Sequence, residues 1–120
     1  MKILIAEDEL QNQKLLQRIF SNMGFKSTIM ENGKEILETS EKYNLLILDL
    51  TLTDIDGIEV AKAIRNGKSF QDINLPILLL SGKSKELMES YCKEYAIDGF
   101  IEKPFGLDDI KTKVNALLGR

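Results

Sequence analysis

Apolar and polar residues follow two different patterns along the chain. Short runs of consecutive apolar residues lie between longer segments in which apolar residues are three or four positions apart. The first pattern is typical of strands buried on both faces of a sheet, and the second of helices with one apolar face. The predicted strands cover 1–6, 26–30, 45–49, 76–80 and 98–101, and each precedes one predicted helix.

Local signals mark where the helices begin and end. Asn32 and Asp56 each stand three residues before a glutamate, as a capping residue does at a helix N-terminus. The second helix is predicted to run to about Tyr43. Gly24 and Gly119 follow the last apolar positions of the first and last helices. The predicted apolar faces comprise Leu15, Leu16, Ile19, Phe20 and Met23; Ile36 and Leu37; Ile58, Ala61 and Ile64; Leu87, Met88, Tyr91, Cys92 and Tyr95; and Ile110, Val114, Leu117 and Leu118.

Five strand-then-helix units predict an α/β fold with a parallel sheet, right-handed crossovers and helices on both faces. The chain has 120 residues, of which 43% are hydrophobic and 29% charged, as expected for one globular domain covering residues 1–120. A net charge of −3 and a pI near 5.0 argue against direct nucleic-acid binding.

The N-terminal and cysteine patterns favour the cytoplasm. The first apolar run stops at Glu7, so it is too short for a signal-peptide core or a membrane span. Cys92 is the one cysteine, which excludes an internal disulfide and a four-thiolate metal site. The chain has no histidine, which excludes Ser-His-Asp and Cys-His catalysis, histidine zinc ligands and phosphohistidine on this chain.

Polar side chains with useful chemistry follow four of the predicted strands. They are Glu7 and Asp8 after the first strand, Asp49 after the third, Ser81 after the fourth and Lys103 after the fifth. Because the carboxyl ends of parallel strands share one edge of a sheet, we expect these side chains to meet. Clustered carboxylates repel one another, and a hard cation such as Mg²⁺ relieves that repulsion. A lysine and a hydroxyl beside them suit a tetrahedral dianion.

Taken singly, each of these residues has an ordinary structural explanation. Adjacent acids are commonly solvated in loops, an aspartate can cap a strand end, and a serine can serve a turn. A lysine is commonly a surface cation with an apolar stem. Their coincidence at one edge is what favours a functional site.

The sequence motifs resemble those of a response-regulator receiver domain of the CheY-like kind. The resemblance rests on four motifs: the run 2–9, Asp49 with Asp56-Gly57 downstream, Leu80-Ser81-Gly82, and the run 100–105. It covers essentially the whole chain. It implies a flavodoxin-like, doubly wound (βα)5 sheet with strand order 2-1-3-4-5.

The resemblance also implies a function in a two-component phosphorelay. Asp49 would accept a phosphoryl group from a sensor histidine kinase or a histidine phosphotransfer protein. Glu7, Asp8, Asp49 and the backbone carbonyl of Thr51 would bind Mg²⁺, while Lys103 would neutralise charge on the phosphoryl oxygens. The domain would thus catalyse its own phosphorylation and dephosphorylation, with no separate turnover substrate.

A conformational switch is implied by the same resemblance. Ser81 would bond a phosphoryl oxygen, and Phe100 would turn inward as the Ser81 loop moves. The face formed by the fourth helix, fifth strand and fifth helix would change, and a downstream effector, a C-terminal output domain or a second copy in a phosphorylation-linked dimer would bind there. The Lys103–Pro104 bond is expected to be cis.

The chain departs from the family pattern at several positions. Leu52-Thr53 stands where Met-Pro is common, which predicts a more mobile loop after Asp49. Phe100 replaces a frequent tyrosine, and Gly82 replaces a frequent alanine, which loosens the Ser81 loop. Thr51 and Lys83 occupy positions that tune phosphoryl loss in the family.

Two other classes of function compete with a phosphorylated switch. The first is a receiver-like interaction module that binds partners without phosphorylation, against which the complete set of acids, Ser81 and Lys103 argues. The second is a flavodoxin-like enzyme or hydrolase on the same architecture. The sequence has neither a phosphate-cradling loop nor a catalytic base other than carboxylates for such an enzyme.

Overall fold

A computed structural model describes residues 1–119, in which five strands and five helices alternate. The elements are β1 (Lys2–Ala6), α1 (Leu10–Asn22), β2 (Lys26–Met30), α2 (Gly33–Glu38), β3 (Leu45–Asp49), α3 (Gly57–Arg65), β4 (Ile77–Ser81), α4 (Lys85–Tyr95), β5 (Gly99–Glu102) and α5 (Leu107–Leu117). The predicted order of strands and helices is confirmed. Among the helices of residues 1–119, none has the length and apolar character that a membrane span needs.

The strands form one parallel sheet in the order β2-β1-β3-β4-β5, as predicted. The register places Ala6 beside Leu48, Asp49 beside Leu80, and Ser81 beside Glu102. The carboxyl ends of β1, β3, β4 and β5 are therefore level with one another. This alignment is what brings the residues after these strands together.

Helices cover both faces of the sheet. One apolar cluster joins the sheet to α1 and α5, and a second joins it to α2, α3 and α4. All five residues of β3 and of β4 are buried, which explains their continuous apolar sequence. Each fully buried leucine or isoleucine contributes about 1.5–3 kcal/mol to the free energy of unfolding, so these central strands hold the sheet edge in place.

The end of α2 differs from the prediction. The helix ends at Glu38, not near Tyr43, and Thr39 is already extended with ψ of 132°. Tyr43 is nevertheless buried, and its backbone N–H donates to Oε1 of Gln71 across 3.1 Å. A tertiary hydrogen bond from the connection between α3 and β4, not a helical turn, therefore positions Tyr43.

The prediction that Leu15 lies on the buried face of α1 is also wrong. Its side chain is 37% exposed, whereas Leu16, Ile19 and Phe20 are buried. Leu15 instead borders a shallow cleft beside Asn12. A stripe of apolar residues at helical spacing is wider than the surface that the sheet covers, so the residue at its margin remains in contact with water.

Candidate functional site

The five polar residues predicted to meet follow the carboxyl ends of four strands at one edge of the sheet. The chain after β1 is held there because Glu7 N donates to Met30 O (3.2 Å). The chain after β5 is held because Lys103 N donates to Ser81 O (2.8 Å). Asp49 and Ser81 are the last residues of β3 and β4. The hydrogen-bonded backbone at the strand ends thus fixes the positions of the Cα atoms that carry these side chains.

Three carboxylates approach one another at this edge. Glu7, Asp8 and Asp49 each offer one oxygen, and these oxygens lie within 4.8 Å of one another. Glu7 and Asp49 are buried, whereas Asp8 is exposed. Hard oxygen ligands at this separation, with one side open to water, fit a small divalent cation that keeps some of its water ligands.

Asp49 is only 3% exposed, and both of its carboxylate oxygens accept hydrogen bonds. Its Oδ1 accepts from the backbone N–H of Thr51 (3.1 Å), and its Oδ2 accepts from Lys103 Nζ (3.0 Å). A buried carboxylate remains charged when such donors are present. Asp49 is therefore an oriented anion next to a cation.

Glu7 is fully buried but only partly satisfied. Its Oε1 accepts from Asn12 Nδ2 (3.0 Å). Its Oε2 has no hydrogen-bond partner among residues 1–119 and lies 3.6 Å from Lys103 Nζ. Burial, and next its contact with Asp49, raises the pKa of Glu7 from 4.5 to about 7. A buried carboxylate that has an unsatisfied oxygen and lies close to two other acids fits a cation-binding position.

Lys103 supplies the positive charge of the site. Burial by itself would lower the pKa of Lys103, but the hydrogen bond to Asp49 and the charges of Asp49 and Glu7 raise it. The side chain therefore stays an ammonium group, and it contacts both buried acids. The Lys103–Pro104 peptide bond that follows is cis.

Ser81 is buried at the end of β4 and turned toward its own loop. Its Oγ accepts a hydrogen bond from Lys83 N (3.0 Å), and the residue is 3% exposed. Because the oxygen acts as acceptor in that bond, the hydroxyl hydrogen can be donated to a second group. Ser81 thus has the chemistry to bind an anion at this edge.

The loop after Asp49 has defined contacts. Leu52 is buried, and Asp54 accepts hydrogen bonds from Gly33 N (2.8 Å) and Lys34 N (3.1 Å) at the start of α2. These backbone donors, Gly33 first, lower the pKa of Asp54. The sequence prediction of greater mobility at Leu52-Thr53 stays a prediction, but its neighbouring residues tie the loop to α2.

Phe100 lies away from the acids, on the face shared by α4, β5 and α5. Its ring is half-buried against the cluster under α4, and Lys113 Nζ lies 5.9 Å from the ring centroid. Shallow grooves border the ring on both sides. The side chain thus occupies a surface position from which it can move without disrupting a packed interior.

Two amide side chains of α1 at this site were missed by the sequence analysis. Asn12 bonds the Glu7 carboxylate, and the buried Gln13 donates to the Glu7 backbone carbonyl (2.7 Å). Both residues stand in a polar run without periodicity, so the sequence offered no signal beyond their closeness to Glu7. Their role emerges only when the first turn of α1 is placed over β1.

Comparisons with known proteins agree with this geometry. The family model described as response regulator receiver domain matches residues 3–115. The alkaline phosphatase synthesis transcriptional regulatory protein PhoP of Bacillus subtilis (strain 168) is 34% identical over 99% of the chain. The chain spans about half of that relative's length, 49%.

Solved structures of similar shape come from several organisms. The receiver domain of a Francisella response regulator has a TM-score of 0.86 and 28% identity, covering 99% of this chain and 97% of that one. The receiver domain of a sensor histidine kinase from Pseudomonas aeruginosa PAO1, described with a magnesium ion coordinated in its active site cleft, has a TM-score of 0.85. It is 20% identical, covering 99% of this chain and 98% of that one, so its likeness concerns the fold.

Proposed function

The chain belongs to the response regulator receiver domain family of two-component signalling, and we propose that it is a phosphoryl-accepting switch with Asp49 as the acceptor. The observation that carries this proposal is the environment of Asp49. A buried, doubly hydrogen-bonded carboxylate lies 3.0 Å from a lysine ammonium and beside two other acids. This arrangement suits nucleophilic attack on a phosphoryl group.

The acids also support a proposed Mg²⁺ site. Glu7, Asp8 and Asp49 would bind the ion together with the backbone carbonyl of Thr51. Support comes from the unsatisfied Oε2 of Glu7 and from the closeness of the three carboxylates. The ion described in the Pseudomonas neighbour's cleft is consistent with the same assignment in this chain. When bound, Mg²⁺ supplies positive charge that offsets charge on phosphoryl oxygens.

The proposed reaction transfers a phosphoryl group from a phosphohistidine of the partner to Asp49. An oxygen of the Asp49 carboxylate forms a bond to phosphorus as the phosphorus–nitrogen bond of the donor breaks, and that electron pair leaves with the imidazole. Thr51 N–H orients the carboxylate through Oδ1. The Lys103 ammonium, which pairs with the Asp49 carboxylate before the reaction, then pairs with the transferred phosphoryl group. The Ser81 O–H donates a hydrogen bond to a phosphoryl oxygen.

The partners follow from this reaction. The donor is a sensor histidine kinase or a histidine phosphotransfer protein, since this chain has no histidine of its own. The output is proposed to pass through the face of α4, β5 and α5, where Phe100 lies, to an effector, an output domain or a second copy. We propose a cytoplasmic location, where the lone thiol of Cys92 stays reduced.

Intact-mass spectrometry with a small phosphoryl donor tests the proposal. Wild-type protein incubated with acetyl phosphate and Mg²⁺ should gain the mass of one phosphoryl group, and Asp49→Asn should gain none. Asp108→Asn is the matched control, because it removes an exposed acid on α5 and should leave the gain intact. No gain in wild type, or a gain that survives Asp49→Asn, overturns the proposal.

Mg²⁺ titration then distinguishes the phosphoryl-accepting switch from a phosphorylation-independent interaction module. A chain that neither gains the phosphoryl group nor binds Mg²⁺ would act as a phosphorylation-independent interaction module. Binding of Mg²⁺ that is lost on removal of the site's carboxylates supports the switch. Because the titration needs no phosphoryl donor, it measures Mg²⁺ binding independently of phosphorylation.

A further inference from the structure

Glu7 is held at the acidic site by two successive side-chain amides of α1. Asn12 Nδ2 donates to Glu7 Oε1 (3.0 Å), and Gln13 Nε2 donates to the Glu7 backbone carbonyl (2.7 Å). One amide thus fixes the carboxylate and the other fixes the main chain at the end of β1. The residue they hold is 0% exposed.

The hydrogen bond from Asn12 distinguishes the two oxygens of Glu7. Oε1 is engaged by the amide, whereas Oε2 has no hydrogen bond and lies on the side of Lys103, at 3.6 Å. A glutamate has three rotatable side-chain bonds, so without a fixed partner its carboxylate could adopt several orientations. The amide selects the orientation in which Oε1 is bound to α1 and Oε2 is left without a hydrogen bond on the side of Lys103.

Within residues 1–119, neither helix capping nor core packing accounts for the bond from Asn12 to Glu7. It lies in the first turn of α1, whose N-cap residue Glu9 makes no side-chain capping bond. Asn12 does not cap the helix in place of Glu9, because its amide nitrogen donates to a carboxylate and not to the helix backbone. It is half-exposed beside Leu15 and Phe105, so it fills no core position.

We propose that Asn12 is a positioning residue for metal binding, which acts by orienting Glu7 so that Oε2 is directed at the cation. Hydrogen bonds to a ligating carboxylate commonly change metal affinity by an order of magnitude. The inference rests on the proposed function, since it presupposes that Glu7 is a Mg²⁺ ligand. The proposal gives α1 a role in metal binding, in addition to the role of the residues at the strand ends.

The test compares Mg²⁺ affinity of the unphosphorylated full chain in wild type, Asn12→Leu and Gln11→Leu. Mg²⁺ itself is titrated, and the backbone amide shifts of Asp49 and Lys103 report binding. Asn12→Leu keeps the side-chain size and removes the donor. Gln11→Leu makes the same chemical change one residue earlier, on an exposed side chain of the same turn.

The titration is done at about pH 8.5, above the pKa of about 7 for Glu7 in wild type. It is repeated at about pH 9.5, because loss of the Asn12 hydrogen bond raises the pKa of Glu7 further. We expect the dissociation constant for Mg²⁺ to rise about tenfold in Asn12→Leu and to stay unchanged in Gln11→Leu. Saturating Mg²⁺ should restore the phosphorylation rate from acetyl phosphate in Asn12→Leu, because positioning and not chemistry was lost.

Three results overturn this inference. They are an unchanged dissociation constant in Asn12→Leu, an equal rise of that constant in Gln11→Leu, and a phosphorylation rate in Asn12→Leu that saturating Mg²⁺ fails to restore. A wild-type chain that binds no Mg²⁺ would instead contradict the proposed function itself. The wild-type titration therefore distinguishes failure of the site from failure of the role assigned to Asn12.

Discussion

At the scale of single residues, the site balances two buried acids against one cation. Lys103 contacts both Asp49 and Glu7, yet Glu7 keeps an oxygen without a hydrogen bond. Removing one member of such a group leaves a buried charge without compensation, which costs more than the original pairing contributed. The residues of the site are therefore coupled, and changes at one alter the protonation of another.

The first prediction concerns the stability of the metal-free protein with Glu7→Gln. The folded pKa of about 7 exceeds the ordinary 4.5, so between these values the folded chain binds more protons than the unfolded chain. The free energy of unfolding therefore falls as pH rises through this window, and stays low above it. Glutamine cannot ionise, so the variant should be more stable above pH 7, by about 2 kcal/mol.

Urea denaturation in EDTA at about pH 5 and about pH 8 measures this difference. Glu9→Gln is the control, because Glu9 is an exposed neighbour in the same loop and should not alter the pH dependence. The same pH dependence in wild type and Glu7→Gln would contradict the raised pKa of Glu7.

The second prediction concerns Lys103→Met. The variant keeps the apolar stem but loses the charge 3.0 Å from Asp49, so phosphorylation from acetyl phosphate at saturating Mg²⁺ should slow about 100-fold. Lys14→Met removes an exposed lysine of α1 that has no part in the site, and it should have little effect. Intact-mass spectrometry of samples quenched at successive times measures the phosphorylation rate of each variant. Equal rates in wild type and Lys103→Met would refute the role assigned to Lys103.

Some of these residue roles could be predicted from the sequence and others could not. The placement of the acids, Ser81 and Lys103 was predictable because each lies one or two residues after an apolar run that had to be a strand. Asn12 was not, because an amide in a polar stretch carries no sign of its partner. Gln71 was missed for the same reason: it lies in a polar connection, yet it is buried and donates to Glu41 O (2.6 Å).

At the scale of elements, the connection from β3 to α3 is the part of the fold that most constrains the site. Asp56 caps α3 by accepting from Ile58 N (2.8 Å), as its sequence signal predicts. Gly57 N donates to Leu50 O (2.8 Å), which pulls the start of α3 onto the end of β3. The start of α3 and the end of β3, where Asp49 lies, are therefore positioned by one another.

This close approach predicts a severe effect of Gly57→Ala. A Cβ on Gly57 would lie 2.6 Å from Asp49 O and 2.9 Å from Leu50 Cα, and these backbone atoms cannot rotate away. We expect a loss of about 1–3 kcal/mol in the free energy of unfolding, measured by urea denaturation, together with slower phosphorylation.

Gly82→Ala provides the matched comparison. A Cβ at Gly82 meets nothing within 4 Å, so that variant should be nearly as stable as wild type. Equal stability of Gly57→Ala and wild type would show that the end of β3 can shift freely, and it would contradict the mutual positioning of β3 and α3.

Element boundaries were less predictable than element order. The strand–helix alternation follows from apolar spacing, which is a local property. The position of Tyr43 after α2 is fixed by a hydrogen bond from its backbone N–H to Gln71, which is distant in sequence. The exposure of Leu15 depends on how much of α1 the sheet covers, so neither feature could follow from spacing alone.

At the scale of the whole molecule, the acidic edge and the face carrying Phe100 are joined through β4 and β5. Ser81 ends β4 beside Glu102, and Leu79 pairs with Phe100 in the same register. A shift of the Ser81 loop toward a phosphoryl group therefore acts on strands that also support the ring. In the proposed switch, a change in the balance between two states at the Ser81 loop would therefore alter the face of α4, β5 and α5.

Hydrogen–deuterium exchange tests this link. Addition of acetyl phosphate and Mg²⁺ should change exchange in α4 and β5 of wild type, and the change should be smaller in Ser81→Ala because the hydroxyl donor is lost. Amides of β2, at the opposite end of the sheet, should not respond. A full response in Ser81→Ala that is accompanied by normal phosphorylation would refute the part assigned to Ser81.

The most direct test of the central claim is to locate the phosphoryl group on the chain. Protein treated with phosphoramidate and Mg²⁺ is reduced with borohydride, which converts an aspartyl phosphate to homoserine, and is then digested and sequenced by mass spectrometry. We predict homoserine at position 49 alone, and only when Mg²⁺ is present. Homoserine at another aspartate, or unmodified Asp49 in protein that has gained a phosphoryl group, would contradict the assignment of Asp49 as the acceptor.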